Sequence, residues 1–335
     1  MAGGKKNKPD KLCRTCERLP LVLDHNVRHK VSGELELGTV EMIQTKRRCP
    51  LCRLLWAAHR DGKMFHANMP MTIKWNPSRG FHSDYSQERL VFLRPISYSS
   101  PAASVHWTGR GMNSTVDVAL IKKWLSLCED LHGDDGPCCP TTADIMANPT
   151  EPSQPTWFKV FDVVDKRIVT APPKCRYVAL SYIWGQGKSW RASERLSAWM
   201  SNGFLTNPFY EEDFKAATME RERVYPLTIA DAIELVSRMG ERYLWVDSVC
   251  MDQNDAAAMR WGLQHMDLIF EGSVLTIVAA FGSDNNAGLP GLRPHTRTVT
   301  QLSEEVRHGV KMATASTLYT LLNETKYMTR GWTYV

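Results

Sequence analysis

The sequence predicts an α/β protein: a parallel sheet with flanking helices, preceded by a smaller Cys-rich α+β region. Three observations predict it. Between residues 176 and 280, short β-branched and aromatic runs alternate with helical patterns, which implies βαβ units with right-handed crossovers. The first 66 residues carry two CxxC pairs, CRTC (13–16) and CPLC (49–52). Between these regions, GDDGPCCPTTADIMANPTEPSQP (133–155) has the Gly, Pro and Asp content of a linker. The expected division is therefore 1–66, a basic leader with a Cys-paired segment; 67–155, an α+β region ending in the linker; and 156–335, the sheet domain.

Taken in order, MTIKW (71–75) and RLVFLRP (89–95) read as strands. STVDVALIKKWLSLCEDLH (114–132) reads as a helix, with Ser114 and Asp117 forming a capping box and Val118, Ile121, Leu125, Cys128 and Leu131 on one face. TWFKVFDVVDKRIVTA (156–171) reads as a hairpin turning at Asp165-Lys166. RYVALSYIWG (176–185) is a strand, and SWRASERLSAWMSNG (189–203) is a short helix. PLTIADAIELVSRMG (226–240) is a helix started by Pro226 and stopped by Gly240, with Ile229, Ala232, Ile233 and Val236 as its apolar stripe. YLWVDSV (243–249) reads as one buried strand, DAAAMRWGLQHMDLIF (255–270) as one helix and SVLTIVAA (273–280) as a strand. Residues 281–335 look less regular.

Composition is ordinary for a globular chain: 335 residues, 43% hydrophobic and 23% charged. No apolar run approaches the roughly 18 residues of a membrane span. The start, MAGGKKNKPDKL, lacks the apolar core of a signal peptide, so an intracellular, cytoplasmic protein is expected. Net charge is +5, much of it in Lys5, Lys6, Lys8 and Lys11 and in Lys46, Arg47 and Arg48. A basic leader fits nucleic acid, but with no interleaved aromatics it fits a solvated tail better. Nine Cys without a secretion signal point to reduced thiols.

Three constellations could carry chemistry. Cys13, Cys16, Cys49 and Cys52 can supply four thiolates to one tetrahedral zinc, with His25, His29 and His59 as substitutes; alternatively, Cys49 and Cys52 are core thiols of an amphipathic run. Cys128, His132, Cys138 and Cys139 form a weaker metal candidate, since Cys128 also fits the apolar face of its helix. The third is the carboxyl edge of the sheet, where open parallel sheets bind ligands. Ser181, Tyr182, Trp184 and Gly185 follow one strand. Asp247, Ser248, Asp252, Gln253 and Asn254 follow another. Ser283, Asp284 and Asn285 follow a third. Asp247 is either functional or an acceptor for loop amides. Cys250 lies between carboxylates that disfavour a thiolate, so it is no nucleophile. GQGKS (185–189) lacks the first Gly of a phosphate loop.

YVALSYIWG (177–185), PLTIADAIELVSRMGERYLWVDSVCMDQND (226–255) and MDLIFEGSVLTIVAAFGSDNNAGLPG (266–291) resemble successive blocks of the fungal heterokaryon-incompatibility (HET) domain. RGWTY (330–334) resembles the start of its last block, which usually continues with Gln-Glu; here Val335 ends the sequence, which reads as cut short. The resemblance implies a fungal protein of non-self recognition, triggering death of incompatible fused cells through self-association or other incompatibility proteins. It also implies distant likeness to TIR domains, with a flavodoxin-like sheet. Some TIR domains hydrolyse NAD. By that likeness Asp247 or Asp252 would be catalytic, with Glu271 as a further candidate. Ser181, Trp184, Gly185 and Gln253 would hold the ligand. A zinc-dependent nucleic-acid regulator is the remaining alternative.

Overall fold

The chain divides into two units, Met1–Asn113 with Val299–Glu324 and Ser114–Thr298 with Thr325–Val335. The computed structural model describes residues 10–19, 21, 32–60, 66–76, 80–83, 88–93, 108–132, 158–172, 174–185, 225–252, 255–297, 301–316, 318–323 and 325–329. The expected helix at 189–203, the linker at 133–155, Gln253 and RGWTY (330–334) lie outside them.

In chain order the elements begin with β1 (Gly33–Thr39), α1 (Val40–Thr45), α2 (Pro50–Arg60), β2 (Pro70–Asn76), β3 (Gly80–His82), β4 (Glu88–Leu93) and β5 (Thr108–Gly109). Then come α3 (Val118–His132), β6 (Lys159–Asp162), β7 (Arg167–Thr170), β8 (Tyr177–Tyr182), α4 (Leu227–Met239), β9 (Tyr243–Trp245) and α5 (Asp247–Cys250). The last are α6 (Ala256–Gln264), α7 (Met266–Glu271), β10 (Leu275–Ala279), β11 (Ser303–Arg307), β12 (Val310–Ser316) and α8 (Leu318–Asn323), followed by a 3-10 turn at Lys326–Thr329. None of the described helices is long and apolar enough to cross a membrane.

The first unit is built on a sheet of order β1-β2-β3-β4-β12-β11, with β5 alongside β4. The pairs along that path are antiparallel, and β12 lies on β4 from Lys311↔Leu93 to Ser316↔Glu88. The stretch expected to be irregular therefore holds a hairpin. His308-Gly309 makes its turn, with Gly309 at φ 71. Val306 and Met312 point from it into the same core as Leu51, Leu54, Leu55 and Ile73.

The second unit carries a sheet of order β10-β8-β9-β6-β7. β10, β8 and β9 run parallel, as the alternation of strands and helices predicts. The sheet is nonetheless mixed. The β6–β7 hairpin adds to its edge antiparallel, with Phe161 opposite Leu244. Asp162 anchors that turn: its buried carboxylate accepts from the Val164 and Asp165 amides at 3.0 Å each and from Arg242 Nε at 2.9 Å. Trp245 and Tyr177 are fully buried at the centre; Trp245 meets Phe270 edge-on, and the Tyr177 hydroxyl donates to the Ile269 carbonyl.

α4 starts and stops where the sequence indicates, and Gly240 closes it in the left-handed region at φ 80. Other elements differ from expectation. α3 is capped by Asp117, whose Oδ1 accepts from the Leu120 amide at 3.0 Å, rather than by Ser114. Val118, Ile121 and Leu125 of its stripe pack on the core, but Leu131 is 77% exposed. The helix expected over 255–270 is two helices, broken at His265, which leaves helical geometry at ψ 17. The strand expected over 243–249 ends at Trp245, and a helical turn begins at Asp247 because the Cys250 amide turns back to the Val246 carbonyl at 2.7 Å.

Candidate functional site

Among the described residues, two places gather chemically able side chains, one in each unit. In the first unit the two Cys pairs converge. Cys13–Cys16 forms a tight turn in which the Glu17 amide bonds the Cys13 carbonyl at 3.0 Å. Cys49–Cys52 forms the start of α2, with the Arg53 amide on the Cys49 carbonyl at 3.1 Å. The four sulfurs lie within 4.8 Å of one another. Cys52 Sγ is 3.8 Å from Cys13 Sγ and 3.7 Å from Cys16 Sγ. Four thiolates around one tetrahedral zinc, each about 2.3 Å from it, stand about 3.8 Å apart. The spacing thus fits a zinc tetrahedron and is far too long for a disulfide. Cys16, Cys49 and Cys52 are buried, and Cys13 is half-buried.

Electrostatics divide the cluster, with Cys49 lowered and both Cys16 and Cys52 raised. Hydrogen bonds from the Cys16 and Cys52 thiols, with the Cys13 amide 3.4 Å from its sulfur, hold the Cys49 pKa well below the ordinary thiol value. Cys16 moves the opposite way, because it serves Cys49 and Cys52 as donor and is buried. A divalent cation would relieve that conflict by replacing donated protons with one shared charge.

In the second unit, the strand order sets the other place. β8 lies between β10 and β9, and the sheet reverses direction of growth between β8 and β10; crevices form at the carboxyl ends of parallel strands at such points. Ser181 Oγ, at the end of β8, is 2.7 Å from the Tyr327 hydroxyl. Tyr182 OH is 2.7 Å from Ser248 Oγ in α5. Trp184 is 43% exposed, and its indole Nε1 donates to Asp247 Oδ2 at 3.1 Å. The other carboxylate oxygen of Asp247 accepts from the Ser248 amide at 2.7 Å. Gly185 needs to be glycine: its φ is 88, and a Cβ there would stand 2.7 Å from Asp284 Cβ. Beyond β10, Lys326 Nζ donates to the Ser283 carbonyl at 3.1 Å.

The structure therefore brings Ser181, Trp184, Gly185 and Asp247 to one edge. Asp252 forms an ion pair with Lys159 of β6 at 3.8 Å. Gln253 lies outside the described residues, and Glu271 is exposed at the end of α7. Burial pushes the Cys250 thiol up to about 12, in keeping with its rejection as a nucleophile. Cys128 lies 3.3 Å from His132 Nδ1 on α3; Cys138 and Cys139 lie outside the described residues.

Sequence reasoning missed Tyr327 and Lys326. Their only signal was position, directly before the RGWTY block.

Comparison with known proteins bears on this edge directly. Residues 177–335 match the model of the family described as heterokaryon incompatibility protein (HET). No curated protein and no solved structure gives a significant match. The matched span starts at the first residue of β8 and takes in α4, β9, α5 and β10, so Ser181, Trp184, Gly185 and Asp247 all fall inside it. The HET family match thus covers just under half of the chain, residues 177–335.

Proposed function

We propose that this chain is a cytoplasmic signalling and interaction module of fungal non-self recognition, whose engagement triggers death of incompatible fused cells. The family match over 177–335 carries the reading. The strand order supports a flavodoxin-like, TIR-like core for it. With β8, β9 and β10 counted as first, second and third, the parallel strands run second-first-third, as in flavodoxin-like sheets. The partner surface is the carboxyl edge around the exposed Trp184, and the partner is a second copy or another incompatibility protein. The four thiols of the first unit hold zinc, which would crosslink two distant turns and give that small core its rigidity.

The test is inducible expression of the full chain in a filamentous fungus, with vital-dye staining of fused compartments. Death on induction, reduced by Trp184→Ala at equal protein level, is the expected result. Compartments that survive induction, in fusions with every tester strain, overturn the reading.

A second reading is favoured by one observation, the Asp247 carboxylate beside the exposed Trp184 ring at the sheet edge. It is hydrolysis of NAD, with Asp247 facing the ribosyl cation as nicotinamide leaves. Nicotinamide release from NAD by the purified chain, abolished in Asp247→Ala, is its signature. Equal release from both proteins disposes of it.

A further inference from the structure

α3 carries two apolar stripes, and the core of the second unit takes only one of them. Val118, Ile121 and Leu125 pack on that core. The other stripe is Leu120, Trp124, Leu127 and Leu131, spaced four, three and four residues apart. That is the a/d spacing of a helix that pairs with another helix. Trp124 is 55% exposed, Leu127 40% and Leu131 77%, while Leu120 is half-buried. No other described element exposes three large apolar side chains. Single exposed apolar residues are ordinary on a surface, but three aligned along two turns of one helix make a strip.

The charges beside the strip decide what fits it. With Trp124 and Leu131 at a positions and Leu120 and Leu127 at d positions, the g positions are Lys123 and Asp130. The e positions are Ile121, which packs on the unit's own core, and Cys128, which is half-buried, so the charged flank is the g side. That flank is basic early in the helix and acidic late. Asp130 stands in the last turn, where the negative end of the helix disfavours a carboxylate. Its neighbour Glu129 is offset by Arg176, but Asp130 meets only Ser126 Oγ among the described residues, at a long 3.5 Å. Turned end for end against a second copy, the strip meets itself. Trp124 then lies against the second copy's Leu127, and Leu120 against its Leu131. In that antiparallel order g faces g, so Lys123 of each copy meets Asp130 of the other, twice by symmetry. A parallel pairing would set Lys123 beside the second copy's Cys128, with no charge to meet.

We propose that α3 is a homodimerisation helix: two copies of the chain pair antiparallel along Leu120, Trp124, Leu127 and Leu131, held in register by reciprocal Lys123–Asp130 ion pairs. Two such strips cover less area than a standard interface, so the dimer depends on concentration and is not obligate. Glu129 ties the end of α3 to Arg176, just ahead of β8, whereas Trp184 follows that strand. The helix surface is therefore separate from the carboxyl edge, and the inference stands whether or not that edge engages a partner.

The test is sedimentation velocity on the full chain over about a hundredfold range of concentration. Expected is a monomer–dimer equilibrium that Leu131→Glu weakens by about tenfold or more, since it puts a charge where apolar surface is to be covered. Leu131 is mostly exposed in the single chain, so the variant should keep the parent's melting temperature under dilute conditions. Charge exchange then reads the register. Lys123→Glu alone and Asp130→Lys alone each set like charges face to face and should weaken the dimer by roughly threefold or more. The double variant Lys123→Glu/Asp130→Lys should recover the parent's affinity, and a mixture of the two single variants should pair better than either by itself. A chain that stays monomeric over the whole range overturns the proposal. So does a dimer that Leu131→Glu leaves intact; if Trp184→Ala disrupts that dimer, self-association belongs to the carboxyl edge instead. A double variant no tighter than the single ones overturns the antiparallel pairing.

Discussion

The indole Nε1 of Trp184 donates to Asp247 Oδ2 across 3.1 Å, joining the loop after β8 to the first turn of α5. A carboxylate behind a tryptophan at a sheet edge has both a structural and a chemical use. The two separate by substitution. Trp184→Phe removes the donor and keeps the ring. Asp247 retains the Ser248 amide, and the site is open to solvent, so the loss in stability should stay within about 1 kcal/mol in a urea titration. A larger loss would make the pair a structural strut of the HET core.

Gly185 should resist any side chain. At φ 88, with Asp284 Cβ 2.7 Å from where its own Cβ would stand, Gly185→Ala forces the loop after β8 away from the loop after β10. The expected cost is about 1–3 kcal/mol, read as a lower melting temperature. Gly111 offers the control, since a Cβ there meets nothing within 4 Å. Gly111→Ala should leave the melting temperature within a degree or two of the parent.

Acid should weaken the second unit through Asp162. Burial works against its charge, but the Arg242 guanidinium and the Asp165 and Val164 amides outweigh it and hold the pKa below the ordinary 3.8. A carboxyl depressed in the folded state contributes stability in full above its unfolded value and loses that contribution as pH falls through the folded one. Stability should therefore drop as pH falls through and below about 4. Asp162→Asn should be less stable at neutral pH by about 1–3 kcal/mol and should show a flatter acid limb. Parallel limbs for the two proteins would assign the acid sensitivity to other carboxyls.

Cysteine substitutions should sort by position. Cys52 is the thiol that lies 3.8 Å from Cys13 and 3.7 Å from Cys16, so on the proposed zinc reading Cys52→Ser should abolish zinc binding and lower the stability of the first unit by several kcal/mol. Cys175 is buried in the other unit, with its pKa pushed up to about 12 by desolvation. Cys175→Ser should leave zinc content untouched. Elemental analysis of both variants checks the pair of outcomes.

Much of the second unit was legible because its signals are local. Pro226 and Gly240 bracket α4, a Tyr- and Val-containing run marks β8, and a β-branched run marks β10. The errors came where one residue's backbone overrode the pattern. YLWVDSV is apolar enough for a longer strand, yet the turn at Val246 ends it. The helix pattern from 255 to 270 is continuous, yet His265 breaks it. The first unit was harder, because its sheet is closed by long-range pairing. VKMATAS carries alternation and follows a His-Gly turn, but nothing in it tells that its partner is β4, more than two hundred residues upstream. The strand-end rule named Ser181, Trp184, Gly185 and Asp247, which are near in sequence to the strands they follow, and the structure sets them at that edge. Tyr327 reaches Ser181 from 146 residues away, and spacing cannot show that.

The hairpin of β11 and β12 has a practical consequence for dissecting this protein. It lies inside the span that matches the HET family, yet its neighbour β4 lies outside, and so does β6, the neighbour of β9. A fragment excised at residue 177 would carry an orphaned ribbon with Val306, Met312 and Ala313 stripped of cover, and also a core sheet with a bare edge. Such a fragment has the means to aggregate. The family's boundary in sequence is not a boundary in folding, and transplanting this domain requires carrying its upstream strands along.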